Sequence, residues 1–90
     1  MATAIITIKL MMDSPETDIK TVEEKAKEVL KANGGDFYKA EVEEVAFGLK
    51  ALSIVFTCNE KLGSDSFEDK LGEIEGVGNA QCTDFRRTIG

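Results

Sequence analysis

Apolar and polar residues alternate along residues 3–11, with Ala4, Ile6, Ile8 and Leu10 on one face and Thr3, Ile5, Thr7 and Lys9 on the other. A period of two with Ile and Thr enrichment predicts a strand with one fully apolar face. The stretch 12–17 breaks that period, and Asp18 is placed to cap a helix over residues 18–32, where Ile19, Val22, Ala26, Val29 and Leu30 recur at helical spacing. Asn33, Gly34 and Gly35 end it, since both residue types tolerate positive φ and let the chain reverse. Residues 36–45 alternate again and set Tyr38, Ala40 and Val42 against Phe37, Lys39, Glu41 and Glu43, which predicts a strand whose second face is charged. Residues 50–58 carry Leu52, Ile54, Phe56 and Cys58 inward, and the short link 45–49 makes these two strands a hairpin. Ser64 or Asp65 then caps a short helix bearing Phe67, Leu71 and Ile74. A last strand runs from Val77 to about Arg87; Ala80 and Cys82 suit its inner face, while Phe85 has the opposite parity, so either a bulge lies near Thr83 and Asp84 or Phe85 sits on the open face.

The order β-α-β-β-α-β, with two amphipathic helices and strands wet on one side, predicts an α+β fold of the ferredoxin-like kind: a four-stranded antiparallel sheet with both helices on one face. Ninety residues allow a single domain spanning 1–90. With 42% hydrophobic and 31% charged residues, the composition is that of a folded globular chain rather than a disordered one. Lys and Arg number 11 against 17 acids, a net charge of −6, the wrong sign for extensive contact with nucleic acid. The open sheet face of an RNA-binding module would need aromatics, whereas the two central strands offer Thr3, Ile5, Thr7 and Lys9, and Ala51, Ser53, Val55 and Thr57. The chain has no histidine, which removes the commonest general base and metal ligand. Its two cysteines form no C-x-x-C and read as buried free thiols in a reducing, cytoplasmic setting. No apolar run approaches the length of a membrane span, and no secretory leader is expected.

Acidic pairs such as Glu43 with Glu44, or Glu73 with Glu75, read as solvated surface, and no phosphate-binding glycine pattern occurs; no cofactor or metal is expected. Two features stand outside core packing. Phe47 sits beside Gly48 and ahead of Lys50 in the hairpin link, either folded onto the core edge or projecting as an anchor for a partner's pocket. Arg86 and Arg87 close an otherwise acidic chain, either as a solvated strand end or as a cationic contact to a partner's carboxylates or phosphates.

The segment Val45-Ala46-Phe47-Gly48-Leu49-Lys50-Ala51-Leu52, then Ile74-Glu75-Gly76-Val77 and Thr83-Asp84-Phe85-Arg86-Arg87, with Met11, Ser14-Pro15 and Asp18 in the first loop, resembles the archaeal elongation factor 1-beta family. The resemblance implies the ferredoxin-like fold, no covalent chemistry, and exchange of GDP for GTP on elongation factor 1-alpha in translation. It implies that Phe47 is the aromatic that enters a pocket of the GTPase and that Gly48 keeps the turn presenting it; Lys50, Arg86 and Arg87 are the further residues expected to bind the partner. Eukaryotic members carry a lysine near the C-terminus that disturbs the GTPase magnesium site; here the chain ends Thr88-Ile89-Gly90, so the resemblance leaves that role to Arg86 and Arg87 or to another route. The chain is expected to act as a monomer. The competing reading is an ACT-like regulatory module binding a small ligand, although Met11-Met12-Asp13-Ser14-Pro15 lacks the glycine-rich loop such modules carry after the first strand.

Overall fold

A computed structural model describes residues 3–45, 48–59 and 61–88. Its elements run β1 (Thr3–Met12), α1 (Ile19–Ala32), β2 (Asp36–Glu44), β3 (Lys50–Asn59), α2 (Ser64–Gly72) and β4 (Val77–Thr88). The strands form one antiparallel sheet in the order β2-β3-β1-β4, the ferredoxin-like arrangement expected from the two periodicities. The most apolar strands, β1 and β3, take the two central positions, where each is hydrogen-bonded on both sides.

The core lies between the sheet and the helices. Ala4, Ile6, Ile8 and Leu10 of β1 and Leu52, Ile54 and Phe56 of β3 are fully buried against Val22, Ala26 and Leu30 of α1 and Phe67 and Leu71 of α2. The rings of Phe56 and Phe67 meet at 4.7 Å with a 56° tilt, fastening α2 to β3. Asp18 caps α1 as its position predicts: its Oδ1 accepts from the Lys20 N–H at 3.0 Å and its Oδ2 from the Thr21 hydroxyl at 3.1 Å. The cap of α2 differs from expectation. Gly63 holds that position without a side-chain bond and Ser64 is already helical, while Ile74 falls in the turn beyond the helix yet stays buried.

The helix α1 crosses the sheet obliquely. Its first turns approach the turn into β4, with Val22 Cγ2 lying 3.6 Å from where a Cβ on Gly76 would stand. Its later turns reach the start of β2, where Lys27 Nζ sits 4.6 Å above the Phe37 ring. Cover therefore thins along β2 toward the hairpin: Phe37 and Ala40 are half-buried and Val42 is 54% exposed.

The described pairings carry three register shifts, one of them at Gly78 where β4 begins, and the other two revise the strand faces. Phe37 pairs with Phe56 and Lys39 with Val55, which makes Tyr38 the extra residue. Phe37 consequently joins the core side, and Tyr38, expected to face inward, is 71% exposed. On β4 the register shifts between Asp84 opposite Thr7 and Cys82 opposite Ile8, so Thr83 is the inserted residue. That bulge is the first of the two alternatives for Phe85, and it brings Phe85 opposite buried Ile6 on the helix side.

Candidate partner-binding site

The hairpin between β2 and β3 is closed by the Val45 N–H donating to the Leu49 carbonyl at 2.9 Å. Gly48 takes φ +74, a conformation that a side chain with a Cβ rarely adopts, and beyond its chain neighbours no described residue has an atom within 4 Å of where that Cβ would be. The turn thus stands clear of the other described residues at Gly48. Phe47 lies outside the described residues. Lys50 opens β3 opposite Glu44 and is exposed.

Arg86 and Arg87 sit elsewhere. Arg86 pairs with Ile5 and projects from the open face, while Arg87 pairs with Ala4 and belongs to the helix side. This opposition is what strand alternation requires of adjacent residues. Both are exposed, and Arg86 Nε contacts Asp84 Oδ2 at 3.0 Å, an intrastrand ion pair that holds the guanidinium over the open face. The hairpin end of the sheet is marked by Met11 opposite Ala51, six residues along β1 from Ile5, so about 20 Å separates the arginines from the base of the hairpin. The structure gathers Gly48 and Lys50 at one end and Arg86 and Arg87 at the other; it does not bring all four together.

The open face between them is nearly flat in its chemistry. Lys9 Nζ reaches Glu43 Oε2 at 3.3 Å, spanning from β1 to β2 across β3 beside Ala51, which is fully buried although its parity is outward. Lys39 and Glu41 pair at 3.7 Å on the same face. Exposed pairs of this kind contribute at most about 1 kcal/mol each, and they leave the face with its charges matched.

A cleft of about 490 Å³ opens between the β1–α1 loop and the turn into β4, with Asp13, Thr17, Asp18 and Glu75 on its walls. Thr17 donates its hydroxyl to Asp13 Oδ1 at 3.1 Å, so part of this polar lining is already used in fixing the loop. Among the described residues no group of three or more His, Cys, Asp or Glu is arranged to hold a metal ion, and no helix is long and apolar enough to cross a membrane. Both cysteines are free; Cys58 is buried, which pushes its thiol pKa up, and Cys82 is half-buried.

Sequence reasoning placed Tyr38 and Val42 in the core and so missed the exposed apolar border of β2. A signal was present in Glu41, Glu43 and Glu44, which crowd Val42 with acids and are exposed along with it. Gly76, at φ +95, enters the sequence reading only through the Ile74-Glu75-Gly76-Val77 motif, and it is where the turn into β4 comes up against Thr17 of the first loop.

Comparison with known proteins fits this geometry. Two solved structures share the fold at low identity: the C-terminal domain of the MgtC protein from Mycobacterium tuberculosis, with a TM-score of 0.56 at 8% identity over 97% of this chain and 87% of that one, and LarC2, the C-terminal domain of a cyclometallase, at 0.57 and 14% over 99% of this chain and 58% of that one. These likenesses concern the fold alone. Among curated sequences, the elongation factor 1-beta of Methanothermobacter thermautotrophicus is 34% identical over 90 residues, covering 99% of this chain and all of that protein. That of Nanoarchaeum equitans is 40% identical over 75 residues, 82% of this chain and 91% of the relative, and that of Methanosarcina barkeri 40% over 82 residues, 89% and 91%. Residues 5–88, from β1 to the end of β4, match the EF-1 guanine nucleotide exchange domain, and the chain belongs to that family of elongation factor 1-beta exchange factors.

Proposed function

We propose that this chain promotes release of GDP from elongation factor 1-alpha, so that GTP can bind, and that it does so in the cytoplasm by binding alone. The observation that carries the reading is the match to the exchange domain over residues 5–88, which takes in the hairpin and both arginines. Exchange by binding suits a chain without histidine: a protein that holds the nucleotide-free GTPase more tightly than the GDP form weakens GDP by the same factor. A thousandfold faster release requires the barrier to fall by roughly 4 kcal/mol. A buried aromatic with a few charge-assisted hydrogen bonds is enough to provide it.

In this reading Phe47 enters a pocket of the GTPase, Gly48 fixes the turn behind it, Lys50 supports the hairpin contact, and Arg86 or Arg87 supplies cationic charge. Because these groups sit about 20 Å apart at opposite ends of the sheet, a partner that meets both must extend along the sheet. The test is stopped-flow release of fluorescent GDP from elongation factor 1-alpha, with and without this protein. Acceleration supports exchange, and a rate indifferent to saturating protein refutes it. A Phe47→Ala variant that melts normally but exchanges at least tenfold more slowly assigns the aromatic to the partner.

A further inference from the structure

The hairpin that carries Gly48 overhangs the sheet. Pairing of β1 with β3 ends at Met11 opposite Ala51, whereas pairing of β2 with β3 continues through Glu44 opposite Lys50 to the Val45 N–H on the Leu49 carbonyl. Beyond Ala51 the chain is therefore a two-stranded ribbon, a form that is marginally ordered when nothing else holds it. The helix side gives it little support, since Val42, the last residue of β2 turned that way before the overhang, is 54% exposed. On the open face, among the ion pairs of the described residues, one crosses all three strands where the overhang begins: Lys9 Nζ of β1 to Glu43 Oε2 of β2 at 3.3 Å. Lys9 stands level with Ser53 and Glu41, but Glu41 Oε1 already meets Lys39 Nζ at 3.7 Å, and Lys9 leans one row toward the hairpin to reach Glu43. Ala51 lies under that crossing, paired with Met11 on one side and Glu43 on the other. It is fully buried although it stands outside the core cluster, because its single methyl lets the two longer side chains close over it.

We propose that Lys9 and Glu43 are positioning residues for exchange: their ion pair ties β2 to β1 across Ala51 and sets the angle at which the hairpin meets the GTPase. The inference rests on the exchange reading above and adds to it two residues that act through the hairpin rather than by contact with the nucleotide. An exposed ion pair contributes little to global stability. Its effect on a ribbon with few other restraints is a shift of population between orientations, because the pair closes in one of them and not in the others. A hairpin that is correctly oriented part of the time lowers the apparent affinity for the partner by that fraction. Once the hairpin is seated, the complex is the same with or without the pair. Loss of either residue thus raises the concentration of this protein needed for half-maximal acceleration of GDP release and spares the rate at saturation.

Lys9→Met keeps the apolar stem over Ala51 and removes the charge, and Glu43→Gln does the same for its partner. In stopped-flow GDP release titrated with each variant, both are expected to raise the half-maximal concentration by about twofold to fivefold, the range an exposed pair supplies, with an unchanged rate at saturation. The double variant K9M/E43Q should be no worse than either single one, and the exchanged pair K9E/E43K should return the value to that of the parent. Lys39→Met breaks the neighbouring pair, which lies within β2 and ties it to no other strand, and should change neither quantity. A second measurement needs no GTPase: N–H residual dipolar couplings of Val45, Gly48 and Leu49 report how firmly the hairpin is held against the sheet. They should shrink in Lys9→Met and recover in K9E/E43K. Half-maximal concentrations unmoved by Lys9→Met and Glu43→Gln overturn the proposal, as does a K9E/E43K chain that behaves like the single variants, or couplings identical in parent and Lys9→Met. A parent chain that leaves GDP release unaltered refutes the exchange reading instead, and the couplings then decide by themselves whether the pair holds the hairpin.

Discussion

Replacing Gly76 by alanine isolates how the first loop and the turn into β4 are locked together. Gly76 has φ +95, and a Cβ built there would stand 2.6 Å from Thr17 Cγ2. Holding an L residue in left-handed backbone costs roughly 1–2 kcal/mol. The clash adds a second share, because Thr17 must leave its rotamer, at about 0.5–1.5 kcal/mol, and give up its 3.1 Å bond to Asp13. The expected loss is thus about 2–4 kcal/mol, which for a domain of this size lowers the melting temperature by roughly 10–25 °C. Urea unfolding followed by circular dichroism measures it. Removing the obstructing methyl with Thr17→Ala should restore about 1 kcal/mol to the Gly76→Ala chain and little to the parent, a coupling read from the double-mutant cycle. Gly48→Ala is the companion measurement: with φ +74 and no described residue beyond its chain neighbours near the new Cβ, it should show only the backbone share. A Gly76→Ala loss below about 0.5 kcal/mol, or no coupling to Thr17, refutes the reasoning.

Leu30→Ala deletes fully buried methyl groups under α1 and should cost about 2–5 kcal/mol by denaturant melting, while a loss under half a kcal/mol would mean that the helix packs in another phase. Arg86→Ala and Arg87→Ala should affect GDP release unequally, because the two side chains leave opposite faces; losing one charge-assisted contact is worth about 1.5–3 kcal/mol, or about tenfold to a hundredfold in rate, and equal silence in both would leave the tail as a solvated strand end. Burial holds the Cys58 thiol above its ordinary value of 9.0, so as the pH rises the unfolded chain releases this proton first. The stability that comes from keeping the thiol neutral is therefore complete below that value and is lost as the pH climbs toward the folded one. Urea midpoints measured at about pH 8 and about pH 10 should fall for the parent by more than for Cys58→Ala, and an identical fall in both would remove Cys58 as a contributor.

Much of this protein was legible in its sequence because alternation and helical spacing are local. Ala4, Ile6, Ile8 and Leu10 share a face whatever β1 packs against, and Val22, Ala26 and Leu30 line one side of any helix they form, so the element order and most of the core follow without long-range information. Asp18 caps α1 through atoms two and three residues away, another local contact. The resemblance carried by the hairpin and tail motifs was likewise a property of the sequence. What the chain alone could not decide was whatever depends on a distant partner. The bulge at Tyr38 exists because Phe37 pairs with Phe56 while Lys39 pairs with Val55, and the bulge at Thr83 depends on how β4 registers against β1. The oblique path of α1 leaves Val42 uncovered on a strand whose pattern reads as half core, and the close approach of Thr17 to Gly76 joins two turns far apart in sequence. The separation of the arginines from the hairpin has the same origin: residues 48 and 86 are far apart in sequence, and only the strand order β2-β3-β1-β4 and its registers set them at opposite ends of one sheet.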